Sequence, residues 1–318
     1  MSMISAIICT YARYDVLRKA IRSLTSQTLA SSQYEILIID NTPNAENGEG
    51  AICKKEFSDI ENLTYVFEKT PGLSNARNVG CKLAKSNFIS YLDDDAIAEP
   101  QWLEEVLKGF NSFENVGVVG GRISPIWEIP RPTWLGDALV GNVSVVEWGG
   151  NLRIAAKDEW FAGANISFAK NVLMEAGGFS TNLGRKGSGQ ILLSNEENEI
   201  LEFIRQSKYQ EVYNPLASVD HLVEKNRLRR DWFRRRAAWQ AASDFMLNPS
   251  SIEDQLPGML DNFKNYLCSL PPIYRNIQGL YFKTEDSGLF EWQLSAIYAN
   301  TALTLAGFDG LEDLENVE

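Results

Sequence analysis

Residues 88–95 read Phe88-Ile89-Ser90-Tyr91-Leu92-Asp93-Asp94-Asp95, an apolar strand-like run that ends on three consecutive carboxylates. Three acids at the end of a buried strand repel one another and are costly to desolvate. A divalent cation removes that cost, because Mg2+ and Mn2+ take oxygen ligands and bridge protein carboxylates to substrate phosphates. The plainer alternative is an acidic turn left in water, and the apolar run ahead of the acids argues against it. Upstream, residues 4–9 form a short apolar run that ends on Thr10-Tyr11. Residues 16–25 follow with helical spacing at Val16, Leu17, Ala20, Ile21 and Leu24. Residues 34–39 are a second buried strand closed by Asp40-Asn41, 63–67 a third, and 74–85 a helix, with a turn-rich stretch at 43–50. Strands alternating with helices at this pace imply an α/β fold, with a mostly parallel sheet flanked by helices. Ligands of such sheets sit at the carboxyl ends of the strands. Thr10-Tyr11, Asp40 and the acidic triplet are therefore expected on one edge.

Downstream, residues 100–113 read as a helix and 116–120 as a strand. The pattern breaks down over 125–160, which Trp127, Pro130, Pro132, Trp134, Trp148 and Trp160 punctuate. These indoles are either packed within an irregular insertion or face an acceptor, since aromatic faces stack on sugar rings. Residues 162–168 resume as a strand, and 172–176 form a short helix stopped by Gly177-Gly178. A glycine-rich basic loop at 184–189 holds Arg185 and Lys186. Residues 196–206 make an amphipathic helix, and short extended pieces at 212–213 and 217–219 lead to His221. Beyond that the chain is helical, at 227–247, 254–267 and 292–305, with Pro271-Pro272 between the last two and an acidic, frayed end. The expected division is a catalytic domain over 1–225 and a helical C-terminal region over 226–318.

The 318 residues carry a formal charge of −12, which argues against a nucleic-acid coat. One histidine excludes two-His zinc motifs. Four scattered cysteines without a C-x-x-C pair read as reduced thiols of a cytoplasmic protein. The N-terminus reads as a buried strand rather than a signal peptide, and no run reaches the roughly 18 apolar residues of a membrane span. No G-x-G-x-x-G follows the first strand, and neither a Walker-type loop nor a G-x-S-x-G elbow occurs. Glu196-Glu197 opens a helix, where acids are favoured by the macrodipole alone; a carboxylate base is the alternative. His221 is a satisfied residue or a ligand for an Mn2+-class ion. Arg229, Arg230, Arg234, Arg235 and Arg236 form a basic cluster, either a solvated helix face or a site for a diphosphate or an anionic membrane.

In order along the chain stand Ile7-Ile8-Cys9-Thr10-Tyr11-Ala12-Arg13, Ile38-Ile39-Asp40-Asn41, Gly72-Leu73-Ser74-Asn75-Ala76-Arg77-Asn78-Val79-Gly80 and Tyr91-Leu92-Asp93-Asp94-Asp95. They are followed by Gly163-Ala164-Asn165, Gly177-Gly178-Phe179 and Ser194-Asn195-Glu196-Glu197. This ordered set resembles the family 2 glycosyltransferases of GT-A fold, over roughly residues 4–221. The resemblance implies a nucleotide-diphospho-sugar transferase fold with a helical C-terminal extension. It implies that Thr10, Tyr11, Arg13 and Asp40 line the nucleotide base, and that Arg77 and Asp94 contact the nucleotide. Asp93 and Asp95 would form the D-x-D, with Asp95 the direct ligand of Mn2+ or Mg2+ and His221 a second one. Glu197 falls where the family has its catalytic Asp, one methylene longer, with Glu196 as the other candidate base.

The expected activity is inverting sugar transfer from a nucleotide-diphosphate sugar, UDP-linked by preference, to a saccharide or lipid-linked acceptor. Polysaccharide biosynthesis in the cytoplasm, with peripheral contact at the inner face of the membrane, is the expected setting. Two other readings are a catalytically degenerate nucleotide-sugar-binding protein and a phosphohydrolase of the haloacid dehalogenase type. The latter expects its acid pair near the first strand, whereas three strand-like segments precede Asp93 here.

Overall fold

The computed structural model describes residues 3–183 and 192–308. The 184–189 loop and the acidic end lie outside the described residues. Among the described residues nine strands form one sheet: β1 Ile4–Thr10, β2 Tyr34–Asp40, β3 Leu63–Phe67, β4 Phe88–Asp93, β5 Ala96–Ala98, β6 Val116–Trp127, β7 Arg153–Ile154, β8 Asn165–Ala169 and β9 Gln210–Val223. Their order is β3-β2-β1-β4-β8-β6-β9-β5, with β7 alongside β9. The first four strands in that order are mutually parallel. From β8 onward the sheet is mixed, since β8 runs antiparallel to both β4 and β6, and β5 and β7 run antiparallel to β9. The sheet is thus parallel in its first part and mixed beyond it.

Helices α1 Tyr14–Thr25, α2 Glu49–Glu56, α3 Leu73–Leu83, α4 Trp102–Asn111, α5 Lys170–Glu175 and α6 Glu196–Arg205 accompany the strands. In α1 the buried positions Leu17, Ala20, Ile21 and Leu24 repeat at three and four residues, so one face seats on the sheet. Each large aliphatic side chain buried this way contributes about 1.5–3 kcal/mol. Helix α3 approaches closer still. A Cβ on Gly80 would lie 2.7 Å from Cγ2 of Ile7 in β1, so only glycine lets the helix rest there. Arg77, three residues earlier, shares that inward face.

Among the described residues the chain divides into two compact units. Residues 3–126, 144–183 and 196–222 make the first; 127–143, 192–195 and 223–308 make the second. The second unit is built on α7 Arg230–Leu247, α8 Pro249–Glu253, α9 Leu256–Ser269 and α10 Ser287–Leu305. Within it, Trp134 is buried, with Phe233 and Phe290 edge-on to its ring at centroid distances of 5.4 and 5.1 Å. In the first unit Trp148 and Trp160 pack edge-on against each other. These three indoles are packing residues.

The basic cluster divides as well. Arg230 stacks over Trp134 and pairs with Glu285, and Arg234 is buried against Gln293 and Asp231. Arg229 and Arg235 are exposed. No helix among the described residues is long and apolar enough to cross a membrane.

Candidate active site

The parallel strands bring their polar ends to one edge of the first unit. Thr10 pairs with Asp40 across β1 and β2, and Cys9 pairs with Asp93 across β1 and β4. Asp94 and Asp95 form the turn into β5, a strand of three residues. Strand β9 pairs with it so that His221 lies opposite Ala96, and the Leu222 N–H donates to the Asp95 carbonyl at 2.9 Å. That register sets His221 beside the acids from a distant part of the sequence.

The three carboxylates have different partners. Asp94 turns inward, where the Thr10 hydroxyl donates to one oxygen at 2.7 Å and Arg13 Nη1 to the other at 2.9 Å. Burial, then the Asp95 charge, push its carboxyl above the usual range, against the lowering by Arg13 and Thr10. Asp95 is held between Arg13 Nη1 at 2.8 Å and His221 Nε2 at 3.2 Å. Asp93 is the most accessible, and its carboxylate lies 3.6 Å from Arg77 Nη2.

Asp93, Asp95 and His221 each present one ligand atom, and these atoms lie within 4.8 Å of one another. Two oxygens and an imidazole nitrogen are a donor set suited to an Mn2+-class ion. His221 is buried, and the ring nitrogen it turns to the Asp95 carboxylate is Nε2. The residues present therefore fit a divalent cation.

Arg77 is the hub of the other half. Its Nη1 donates to Glu197 Oε1 at 2.8 Å and to Glu196 Oε1 at 3.1 Å. The guanidinium lies 5.3 Å from the Phe179 ring and 5.9 Å from the Tyr91 ring. Tyr91 donates its hydroxyl to the Arg77 carbonyl at 3.0 Å, and Asn78 bonds the Phe179 backbone through both ends of its amide. Burial acts to lower the Arg77 pKa, but Glu197, Glu196 and Asp93 outweigh it, and the pKa stays raised. The neighbouring Cys9 thiol is pushed up to about 12, chiefly by burial, so it stands as a neutral thiol.

The remaining candidates lie nearby. The Asp40 carboxylate is fully buried and accepts from Tyr65 at 2.8 Å, Tyr14 at 3.2 Å and the Thr42 N–H at 3.0 Å. Tyr11 is half-buried at the end of β1. The next residue, Ala12, takes a left-handed φ of 55° and donates its N–H to Thr42 at 2.7 Å. Strain of that kind in a non-glycine residue recurs at functional loops.

Gly163, Tyr91 and Phe179 had no site role in the sequence reading, though all three stand in its ordered motifs. A Cβ on Gly163 would overlap both Arg77 Nη2 and Glu197 Oε1. Gly163→Ala is therefore expected to destabilise the protein by about 1–3 kcal/mol, read as a lower Tm in a thermal melt. An unchanged Tm would mean that the ion pair has room to shift.

The mixed sheet, with its acids, histidine and arginine gathered at the strand ends, is that of a GT-A-like glycosyltransferase. The family model for glycosyl transferase family 2 matches residues 5–173, just over half of the chain, and the chain belongs to that family. The chain is similar to the glucosyl-dolichyl phosphate glucuronosyltransferase of Haloferax volcanii, at 27% identity over 310 residues, covering 96% of this chain and 95% of that one. It is also similar to the chondroitin synthase of Escherichia coli, at 28% identity over 205 residues, covering 55% of this chain and 29% of that one. Among solved structures it resembles a mannosyltransferase from Pyrobaculum calidifontis in complex with GDP-Man and Mn2+. The TM-score is 0.54 at 16% identity, covering 96% of this chain and 74% of that one, a likeness of fold.

Proposed function

We propose that this glycosyltransferase inverts the anomeric centre as it moves a sugar from a nucleoside-diphosphate donor to a hydroxyl of a saccharide or lipid-linked acceptor. The observation that carries the reading is the meeting of Asp93, Asp95 and His221, with Arg77 linking that cluster to Glu196 and Glu197. A divalent cation held by Asp93, Asp95 and His221 would neutralise charge on the departing diphosphate.

The protein's own groups supply the rest. Glu197 serves as the base. Its side chain is 14% exposed against 5% for Glu196, so it is the one an acceptor reaches. It takes the acceptor's proton as the hydroxyl oxygen bonds to the anomeric carbon and the bond from that carbon to the diphosphate oxygen breaks. One displacement inverts the configuration. Arg77 fixes Glu197 in place, so little reorganisation is left for the reaction itself. Arg13, Thr10 and Asp94 brace the nucleotide loop, with Asp40, Tyr14 and Tyr65 beneath it and Tyr11 toward the base. The relative from Haloferax volcanii is named for a glucosyl-dolichyl phosphate, which supports a lipid-linked acceptor here.

The test is nucleotide release from a panel of UDP- and GDP-sugars, with Mn2+ present and then chelated, and with Asp95→Asn. The variant and chelation are each expected to lower turnover by about a hundredfold. Unchanged turnover in Asp95→Asn would remove the cation from the reading, and the panel decides whether UDP donors lead.

A further inference from the structure

Two short turns of the second unit, Pro272–Tyr274 and Ile277–Tyr281, carry an apolar surface that sugar transfer does not use. The sequence there is Pro271-Pro272-Ile273-Tyr274-Arg275-Asn276-Ile277-Gln278-Gly279-Leu280-Tyr281-Phe282-Lys283. Ile273 is 74% exposed and Tyr281 67%, the two most exposed large apolar side chains among the described residues. Ile277 at 42% and Tyr274 at 37% belong to the same segment. Scattered exposed apolar residues are ordinary, but a concentration of them in one place marks an interaction surface.

The fold holds this segment from within. Gly279 and Leu280 are buried. Tyr266 donates its hydroxyl to the Gly279 carbonyl at 2.8 Å, and Gln293 donates to the carbonyls of Phe282 at 2.9 Å and Gly279 at 3.2 Å. Arg234 in turn donates to Gln293 at 3.0 Å. Arg275 Nε bonds the Leu270 carbonyl, and the Tyr274 and Phe282 rings meet at 5.0 Å. The backbone is clamped by buried polar groups while the apolar side chains stay exposed. Arg234 belongs to the clamp and is not free to meet a ligand.

Charge says what the tips meet. The chain carries −12 overall, yet residues 262–284 contain no Asp or Glu, and their charged residues are Lys264, Arg275 and Lys283. Aliphatic and tyrosyl tips with Arg275 and Lys283 beside them, and the nearest acids in sequence at Asp261 and Glu285, match the boundary between headgroups and acyl chains of an anionic bilayer. We propose that this segment docks the protein on an anionic lipid surface, with Ile273, Ile277 and Tyr281 seated in that boundary and Arg275 and Lys283 on lipid phosphates. The inference goes beyond the sugar-transfer reading and does not rest on it. Its test uses neither donor nor acceptor, so either can fail alone.

The test is flotation of the full chain with vesicles of phosphatidylcholine, alone or mixed with phosphatidylglycerol. The wild type is expected to float with the mixed vesicles. The triple variant Ile273→Ser/Ile277→Ser/Tyr281→Ser should partition about tenfold less, and Arg275→Glu/Lys283→Glu should lose the preference for phosphatidylglycerol. Ile52→Ser, which removes an exposed apolar side chain from the first unit, should float like the wild type. A thermal melt confirms that each variant is folded; if the triple variant is not, Ile273→Ser alone is read in its place. The proposal is overturned if the wild type floats with neither vesicle, or if the folded variant floats as the wild type does. It is also overturned if the wild type is a dimer that binds no vesicle and the variant a monomer, which would make the patch a contact between copies.

Discussion

Replacing Glu197 by Gln is expected to lower kcat by about 10³-fold while the donor KM moves only a few-fold. The amide keeps the length of the side chain and its contact with Arg77, but it cannot take a proton from the acceptor hydroxyl. Glu196→Gln removes the more buried carboxylate, which bonds the same Arg77 nitrogen at the longer distance. It is expected to lower kcat by about tenfold, through looser placement of Arg77. Steady-state kinetics at saturating donor separate the two. A larger loss in Glu196→Gln than in Glu197→Gln would exchange their roles, and equal losses would point to Arg77 as the common cause.

The second large effect is on stability. Arg77→Met is expected to cost about 3–5 kcal/mol of folding free energy, because it strips the counter-charge from buried Glu196 and partly buried Glu197. Methionine fills part of the space against Tyr91 and Phe179, so the loss is mainly electrostatic. A denaturant titration measures it. The double variant Arg77→Met/Glu196→Gln checks the cause, since removing one stranded carboxylate should return about 1–3 kcal/mol. If the double variant is no more stable than Arg77→Met, the arginine acts by packing instead.

The parallel part of the fold was legible because its strands are apolar runs ending on polar residues. Residues 34–39 and 88–92, for instance, fall within β2 and β4. Strand β5 was missed, since Ala96–Ala98 is too short to show a period and is defined only by its pairing with β9. Strand β9 read as two fragments because Asn214 and Pro215 interrupt its apolar pattern, whereas the backbone runs unbroken from Gln210 to Val223. The candidate residues could be named from motif order, but their partners could not. Nothing in the sequence says that Asp94 turns inward to Thr10, that Asp40 is closed off by Tyr14 and Tyr65, or that Gly163 must lack a side chain for Arg77 to meet Glu197. Such facts depend on long-range packing. The two readings of the arginine cluster stayed open for the same reason, and Arg230 and Arg234 are occupied within their own unit.

The pairing of β5 with β9 spans only three residues, yet with the backbone bond from Leu222 to Asp95 it sets His221 beside Asp95. A strand alternates its side chains between faces, so a slip of one residue would replace the imidazole with Asp220 or Leu222 and turn His221 to the opposite side. The cluster therefore depends on the register of the sheet edge. Only the correct alignment yields two carboxylates and an imidazole in one place, and a ligand that favours that trio favours the aligned edge by the same free energy.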